Sequence, residues 1–415
     1  MTARRWTVAQ IGHREEYAAA RAFAGQGRLT RLYNDIWCRY GADALRRGPG
    51  PLRRMALRHH PALDDAAVTS WTPAGLAHRA ASAMRSRGRS SGVYGVALRH
   101  ASWFDRRVAR HLAGQPLRPD QDAFFGFDLG CLETLRLLRS REVVAVVDQF
   151  DPARVEYDLV RAEAERWPGW SPELPVIPEA YFERLQAEWE AAAGVIVNSA
   201  WSAEALVRQG VARERIEVVP LAYEPRHRLA SPRPRHEGPL RVLWLGSVIL
   251  RKGIQYLVEA ARLLGDRSIE VVVVGRIGIA EAVVRSAPAN VVFRGEVIHD
   301  RVAQEYAAAD VFILPTVSDG FGLTQLEAMA HGLPVVTTPN CGSVVDDRVD
   351  GLVVPAGDGE ALAKALATLD DDRDMVEAMS GMALAKSSQF TLERYGAGLD
   401  AAAERFAPAV TAERG

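Results

Sequence analysis

The sequence predicts an α/β protein built from two doubly wound domains that face each other across a cleft. Three observations carry that prediction. The second half alternates apolar, strand-length runs with amphipathic stretches. The first half opens on a strand, a glycine turn and a helix. Between the halves lies a proline-rich, charged stretch without periodicity, Glu224 to Leu240, which reads as a linker.

In the second half, Leu240–Gly246, Glu270–Gly275, Val291–Arg294, Val311–Leu314, Pro334–Thr337 and Leu352–Val354 read as strands. Ile254–Leu264, Arg301–Ala308 and Gly359–Leu369 read as helices between them. Such alternation implies a parallel sheet covered by helices on both faces. In the first half, Trp6–Ile11 reads as the opening strand, followed by a turn at Gly12–Arg14 and a helix through Phe23. Val143–Val147 and Gly194–Asn198 are clear strands. Residues 34–125 are rich in Arg and Ala and mostly helical in pattern, but their elements cannot be ordered. Leu392–Phe406 reads as a final helix. The domain boundaries expected are 1–228, 229–390 and, for the last helix, 391–415.

At 415 residues, with 48% hydrophobic and 25% charged residues, the composition is that of a globular protein of two or three domains. A net charge of −1 does not suggest nucleic-acid binding. The charge is uneven, because residues 1–111 hold 20 Arg against 7 acids. Clusters at Arg46, Arg47, Arg53, Arg54, Arg58, His59 and His60, and at Arg85, Arg87 and Arg89, suit either solvated helix faces or contact with anionic lipid or an anionic acceptor. Three dispersed cysteines, Cys38, Cys131 and Cys341, fit neither a zinc site nor a disulfide framework. No run is long and apolar enough for a membrane span, and the start lacks the apolar core of a signal peptide. A cytoplasmic protein is expected, with peripheral contact at the inner membrane face as an open alternative.

The most informative segment is SDGFGLTQLEAMAHGLPVV, Ser318–Val336. It sets Asp319 and Glu327 around a Gly-Phe-Gly turn, after a buried strand and before a helix read at Leu323–His331. The N–H groups of Gly320, Phe321, Gly322 and Leu323 would then be free at the positive end of a helix dipole, an arrangement that holds anions. The flanking acids suit hydroxyl groups, so phosphate plus hydroxyls indicates a sugar nucleotide. A second segment, WLGSVILRKG, places Arg251 and Lys252 at a helix start, where cations oppose the dipole unless an anion lies between.

The Asp319–Val335 stretch, DGFGLTQLEAMAHGLPV, resembles the E-x7-E motif of retaining "group 1" glycosyltransferases. The first acid is Asp319 where the family pattern has Glu, one methylene longer. The resemblance covers residues 190–400 well and is weak before residue 120. It implies GT-B architecture, two Rossmann-like domains, with the final helix crossing back onto the first. It implies retaining transfer of a hexose from a UDP- or GDP-sugar to an acceptor hydroxyl, on a polysaccharide, a lipid-linked glycan or a natural product. Arg251 and Lys252 would grip the donor diphosphate, Asp319 would orient the sugar and Glu327 would hold the ribose. Gly275, Arg276 and Val297 would lie near the base.

In the first half, Gly12 occupies the place of the family's glycine-rich loop, followed here by His13 and Arg14 rather than a second glycine. Those two residues suit an acceptor, a phosphate or plain surface. Asp148 and Asp151 end a strand where many relatives carry a histidine; they suit either the acceptor side of the site or a turn. Ser199 or Ser202 suits a helix cap. There is no Walker A, GxGxxG or HExxH sequence and no convincing Asp-x-Asp pair, so no metal ligand and no cofactor beyond the sugar nucleotide is expected. A non-catalytic nucleotide-sugar binder and a sugar-nucleotide epimerase on the same fold stay open at this point.

Overall fold

The computed structural model describes residues 3–407 apart from 42–44, 46–47, 49–51, 53–54, 86–91, 226–237 and 298. The first lobe is a seven-stranded parallel sheet: β1 (Arg5–Gln10), β2 (Leu29–Asn34), β3 (Val68–Ser70), β4 (Asp122–Phe127), β5 (Val144–Gln149), β6 (Gly194–Val197) and β7 (Ile216–Val218). Its order is β3-β2-β1-β4-β5-β6-β7. The second lobe has six parallel strands: β8 (Leu240–Leu245), β9 (Ile269–Val274), β10 (Val291–Gly295), β11 (Val311–Leu314), β12 (Val335–Thr337) and β13 (Gly351–Val353). Their order is β10-β9-β8-β11-β12-β13. In both sheets the winding reverses beside the first strand, between β1 and β4 and between β8 and β11. A crevice opens at the carboxyl ends of strands at such a point, and that is where doubly wound folds bind ligands.

The strands read from the sequence all form, with ends displaced by a residue or two. β2, β3, β4 and β7 are additional to that reading. β4, DAFFGF, is buried throughout, so it shows no alternation to separate it from its helical surroundings. The Ala- and Arg-rich region does yield two long helices, Thr72–Arg85 and Gly92–Ala113. The second buries Ala101, Phe104, Val108 and Leu112 against the first sheet.

The final helix, Leu392–Phe406, packs on the first lobe. Trp6 Nε1 donates to Asp400 at 2.9 Å, and Phe406 lies over Gly194, where an added Cβ would meet its ring at 2.2 Å. The backbone N–H of Tyr223 donates to the carbonyl of Phe390 at 2.8 Å, so the two strands of chain that pass between the lobes run side by side. All three cysteines are free thiols. Among the described residues, no helix is long and apolar enough to cross a membrane. Of the basic clusters, Arg58 is not a solvated cation: it is ion-paired to the fully buried Asp35 at 2.7 Å. Arg46, Arg47, Arg53, Arg54, Arg87 and Arg89 lie outside the described residues, as does most of the expected linker.

Candidate functional site

Two loops meet at the reversal point of the second sheet. After β8, a 3₁₀ turn at Leu250–Lys252 leads through Gly253 into the helix Ile254–Leu263. Gly253 has φ of 73°, and a Cβ there would stand 1.7 Å from the carbonyl oxygen of Pro315, so only glycine lets the loops touch. After β11, Val317 N–H and Thr316 Oγ1 donate to the carbonyl of Arg251 at 2.9 and 3.0 Å. Arg251 and Lys252 are thereby fixed beside Asp319.

Asp319 is ion-paired to Lys252, and Arg251 lies 3.8 Å from its other oxygen. It also accepts the N–H of Phe321. Burial pushes the Asp319 carboxyl up, but Lys252 and Arg251 outweigh it and hold the group below the usual carboxylate range. One of the N–H groups expected to be free is therefore engaged by an anion from the protein itself. The following helix is shorter than the sequence indicates, Thr324–Ala330. Gly320 packs against the first lobe: a Cβ there would stand 2.1 Å from the carbonyl oxygen of Phe150. Phe321 is buried, with its carbonyl accepting from Gly342 N–H at 2.9 Å and Gln325 at 2.8 Å. Gly322 has φ of 74°, the left-handed value that the turn needs.

Glu327 and Leu323 line a cavity of about 350 Å³ between the lobes. Tyr306 closes one side, donating its hydroxyl to Glu327 at 2.8 Å while stacking on His331. The first lobe contributes Glu15, Arg21 and Tyr223. Gly275 does not line this cavity; it abuts Gly246, where an added Cβ would be 1.7 Å from the carbonyl. Arg276 is exposed, and its backbone carbonyl accepts from Val248 N–H at 2.9 Å. Val297 is partly buried against the core.

The first-lobe candidates divide. The N–H of Gly12 donates to Asp35 at 2.9 Å, so it is already committed. His13 is half-buried beside Arg58, and burial and that charge hold its imidazole below the usual value. Arg14 is ion-paired to Asp128 and lies over the rings of Phe127 and Phe150 at 5.6 and 5.5 Å. Asp148 is 1% exposed, and burial together with Glu15 and Asp128 pushes its carboxyl well up. Asp151 accepts from Ala153 N–H at 2.9 Å, the turn role weighed for it. Ser199 caps its helix by accepting from Ser202 N–H at 3.1 Å.

Sequence reasoning passed over Glu156. It comes from the first-lobe helix Arg154–Arg166, accepts from Ser318 Oγ at 3.0 Å and pairs with Arg251 at 3.3 Å. Nothing in its helix sets this acid apart from its neighbours. Tyr306, Ser318 and Asp35 were passed over as well. Ser318 adjoins the Asp-Gly-Phe-Gly turn, which is the one signal that could have found it.

Two doubly wound lobes, with paired cations and an acid at the reversal point of the second sheet, define the GT-B class of fold. Over 95% of this chain and 98% of its counterpart, the structure superposes on that of Anabaena HepE in complex with UDP and glucose, with a TM-score of 0.57 and 15% identity. Residues 239–372 match the family described as Glycosyl transferases group 1, which places this lobe in that family. Among curated relatives, the amylovoran biosynthesis glycosyltransferase AmsK of Erwinia amylovora is 29% identical over 180 residues, 40% of this chain and 44% of that protein. The D-inositol 3-phosphate glycosyltransferase of Paenarthrobacter aurescens is 30% identical over 227 residues, 49% of this chain and 55% of that protein. The chain thus spans about half the length of these relatives.

Proposed function

We propose that the protein is a retaining, metal-independent glycosyltransferase that moves a hexose from a UDP- or GDP-sugar to an acceptor hydroxyl. The observation that carries the reading is the convergence of Arg251, Lys252 and the Asp319–Gly322 turn at the reversal point of the second sheet, facing the first lobe. The bond that breaks joins the anomeric carbon to a phosphate oxygen, and charge builds on the departing diphosphate. Arg251 and Lys252 would stabilise that charge once the diphosphate replaces Asp319 as their partner. The donor diphosphate would take over contacts that Asp319 makes in its absence. Asp319 would then turn to the sugar, and Glu327 would take the ribose hydroxyls in the cavity it lines. Retention and the choice of UDP or GDP rest on the group 1 resemblance alone; a nucleotide-sugar donor is further supported by the UDP and glucose bound to the HepE counterpart. Peripheral contact with anionic lipid through the basic first half belongs to the same proposal; co-sedimentation with phosphatidylglycerol vesicles tests it.

A panel of UDP- and GDP-hexoses tests the main reading. One donor is expected to raise the melting temperature by mass action and to be consumed only with an acceptor present. If no donor stabilises the protein, or if Arg251→Ala transfers sugar at the wild-type rate, the reading is wrong.

A further inference from the structure

Arg251 is held by both lobes at once. Its carbonyl is anchored within the second lobe by Val317 N–H and Thr316 Oγ1, but that leaves the long side chain free to point several ways. What directs the guanidinium acts through one nitrogen. Nη1 donates to Glu156 at 3.3 Å and to the Ser318 carbonyl at 3.2 Å, and it is also the atom that approaches Asp319, at 3.8 Å. Nη2 and Nε have no partner among the described residues, and neither is sealed from solvent. The Nη2–Nε edge of a guanidinium can meet two oxygens of one phosphate together.

The helix that carries Glu156, Arg154–Arg166, belongs to the first lobe by chain order but buries none of its own residues. One face of it follows the second lobe. Glu156 and Glu163, seven positions and about two turns apart, share that face. Glu163 accepts from Gln255 and Tyr256 at 2.8 Å, and Trp167 meets the Tyr256 ring edge to face at 5.7 Å. Further on, the Trp170 carbonyl accepts from Ala280 N–H at 2.7 Å. The Glu156 carboxylate is itself fixed, because the oxygen that faces Arg251 also accepts from Ser318 Oγ at 3.0 Å. Resting on the assignment of Arg251 to the donor diphosphate, we propose that Glu156 is a positioning residue for the transfer: it pins Nη1 and so presents the Nη2–Nε edge of Arg251 to the phosphate. When the diphosphate displaces Asp319, Glu156 and the Ser318 carbonyl still hold Nη1. The cation then binds without first losing rotamer freedom. Glu156 and Arg251 sit on different lobes, so this pinning exists only where the lobes meet.

The test titrates UDP and GDP into the full chain by calorimetry. Glu156→Ala is expected to weaken the nucleotide that the wild type binds by about tenfold. Glu156→Gln, which keeps an oxygen for Nη1, is expected to stay within about twofold of the wild type. In an Arg251→Ala background, Glu156→Ala is expected to change affinity by less than about twofold, since no guanidinium is left to aim. Glu163→Gln disturbs the same helix face without touching Arg251, and is expected to bind like the wild type. Unchanged or tighter binding in Glu156→Ala, or an equal loss in the Arg251→Ala background, overturns the proposal. An equal loss in Glu163→Gln also overturns it, because Glu156 would then act by holding the lobes together. The donor assignment fails on different results: neither nucleotide binds the wild type, or Arg251→Ala binds as well as the wild type. A loss in Arg251→Ala with none in Glu156→Ala strikes only the positioning role.

Discussion

Arg251 of the second lobe lies 3.3 Å from the carboxylate of Glu156, which belongs to the first. The same oxygen of Glu156 accepts from Ser318 Oγ at 3.0 Å, and Ser318 Oγ in turn accepts from Trp201 Nε1 at 3.1 Å. A cation assigned to the donor is thus tied to the opposite lobe. Nearby, Glu163 of the same first-lobe helix accepts from Gln255 and Tyr256 at 2.8 Å. The two lobes therefore meet through polar groups around Arg251, the same cation proposed to meet the donor diphosphate.

Glu156 gives the interface a pH dependence. Burial, only partly offset by Arg251, pushes its carboxyl up to about 7 from 4.5. A raised folded value means that the folded state holds the proton more tightly. The contribution to stability is full below pH 4.5 and is lost as pH rises through 7. Glu156→Gln cannot titrate. Its melting temperature is expected to gain on the wild type by several degrees between pH 4.5 and 7.5, and a pH-independent difference would count against the assignment.

Lys252→Ala removes one of the two charges proposed to meet the leaving diphosphate. A fall in kcat/KM of about 10²–10³ is expected, with the far-UV circular dichroism unchanged. Wild-type turnover would show that the diphosphate is held elsewhere.

Tyr306 orients Glu327 through a single hydrogen bond of 2.8 Å. Tyr306→Phe keeps the ring and its stacking on His331 but frees the carboxylate. About 1 kcal/mol of donor binding, roughly fivefold in donor KM, is expected to be lost with kcat little changed. Glu327→Ala is expected to abolish transfer. A Tyr306→Phe variant indistinguishable from wild type would remove the hydroxyl from the site.

Two glycines separate fold from function. Gly253→Ala drives a Cβ into the Pro315 carbonyl within one lobe and is expected to lower thermal stability markedly. Gly320→Ala meets the Phe150 carbonyl across the lobes. The lobes can part to relieve it, so transfer is expected to fall at least tenfold with little change in melting temperature. Equal destabilisation by both would mean that the lobes are rigidly joined.

The sequence by itself determined the two α/β lobes, the six strands of the second sheet and the loops that carry Arg251, Lys252, Asp319 and Glu327. These are local signals: apolar runs of strand length, a glycine turn, cations at a helix start. Tertiary structure alone decided that β4 is a strand, since a run buried on both faces carries no period. It alone assigned Arg58 to Asp35 rather than to solvent, and set Glu156 against Arg251 from 95 positions away. Such pairings depend on which helix the fold lays beside which loop, and neither charge carries that information in its own neighbourhood.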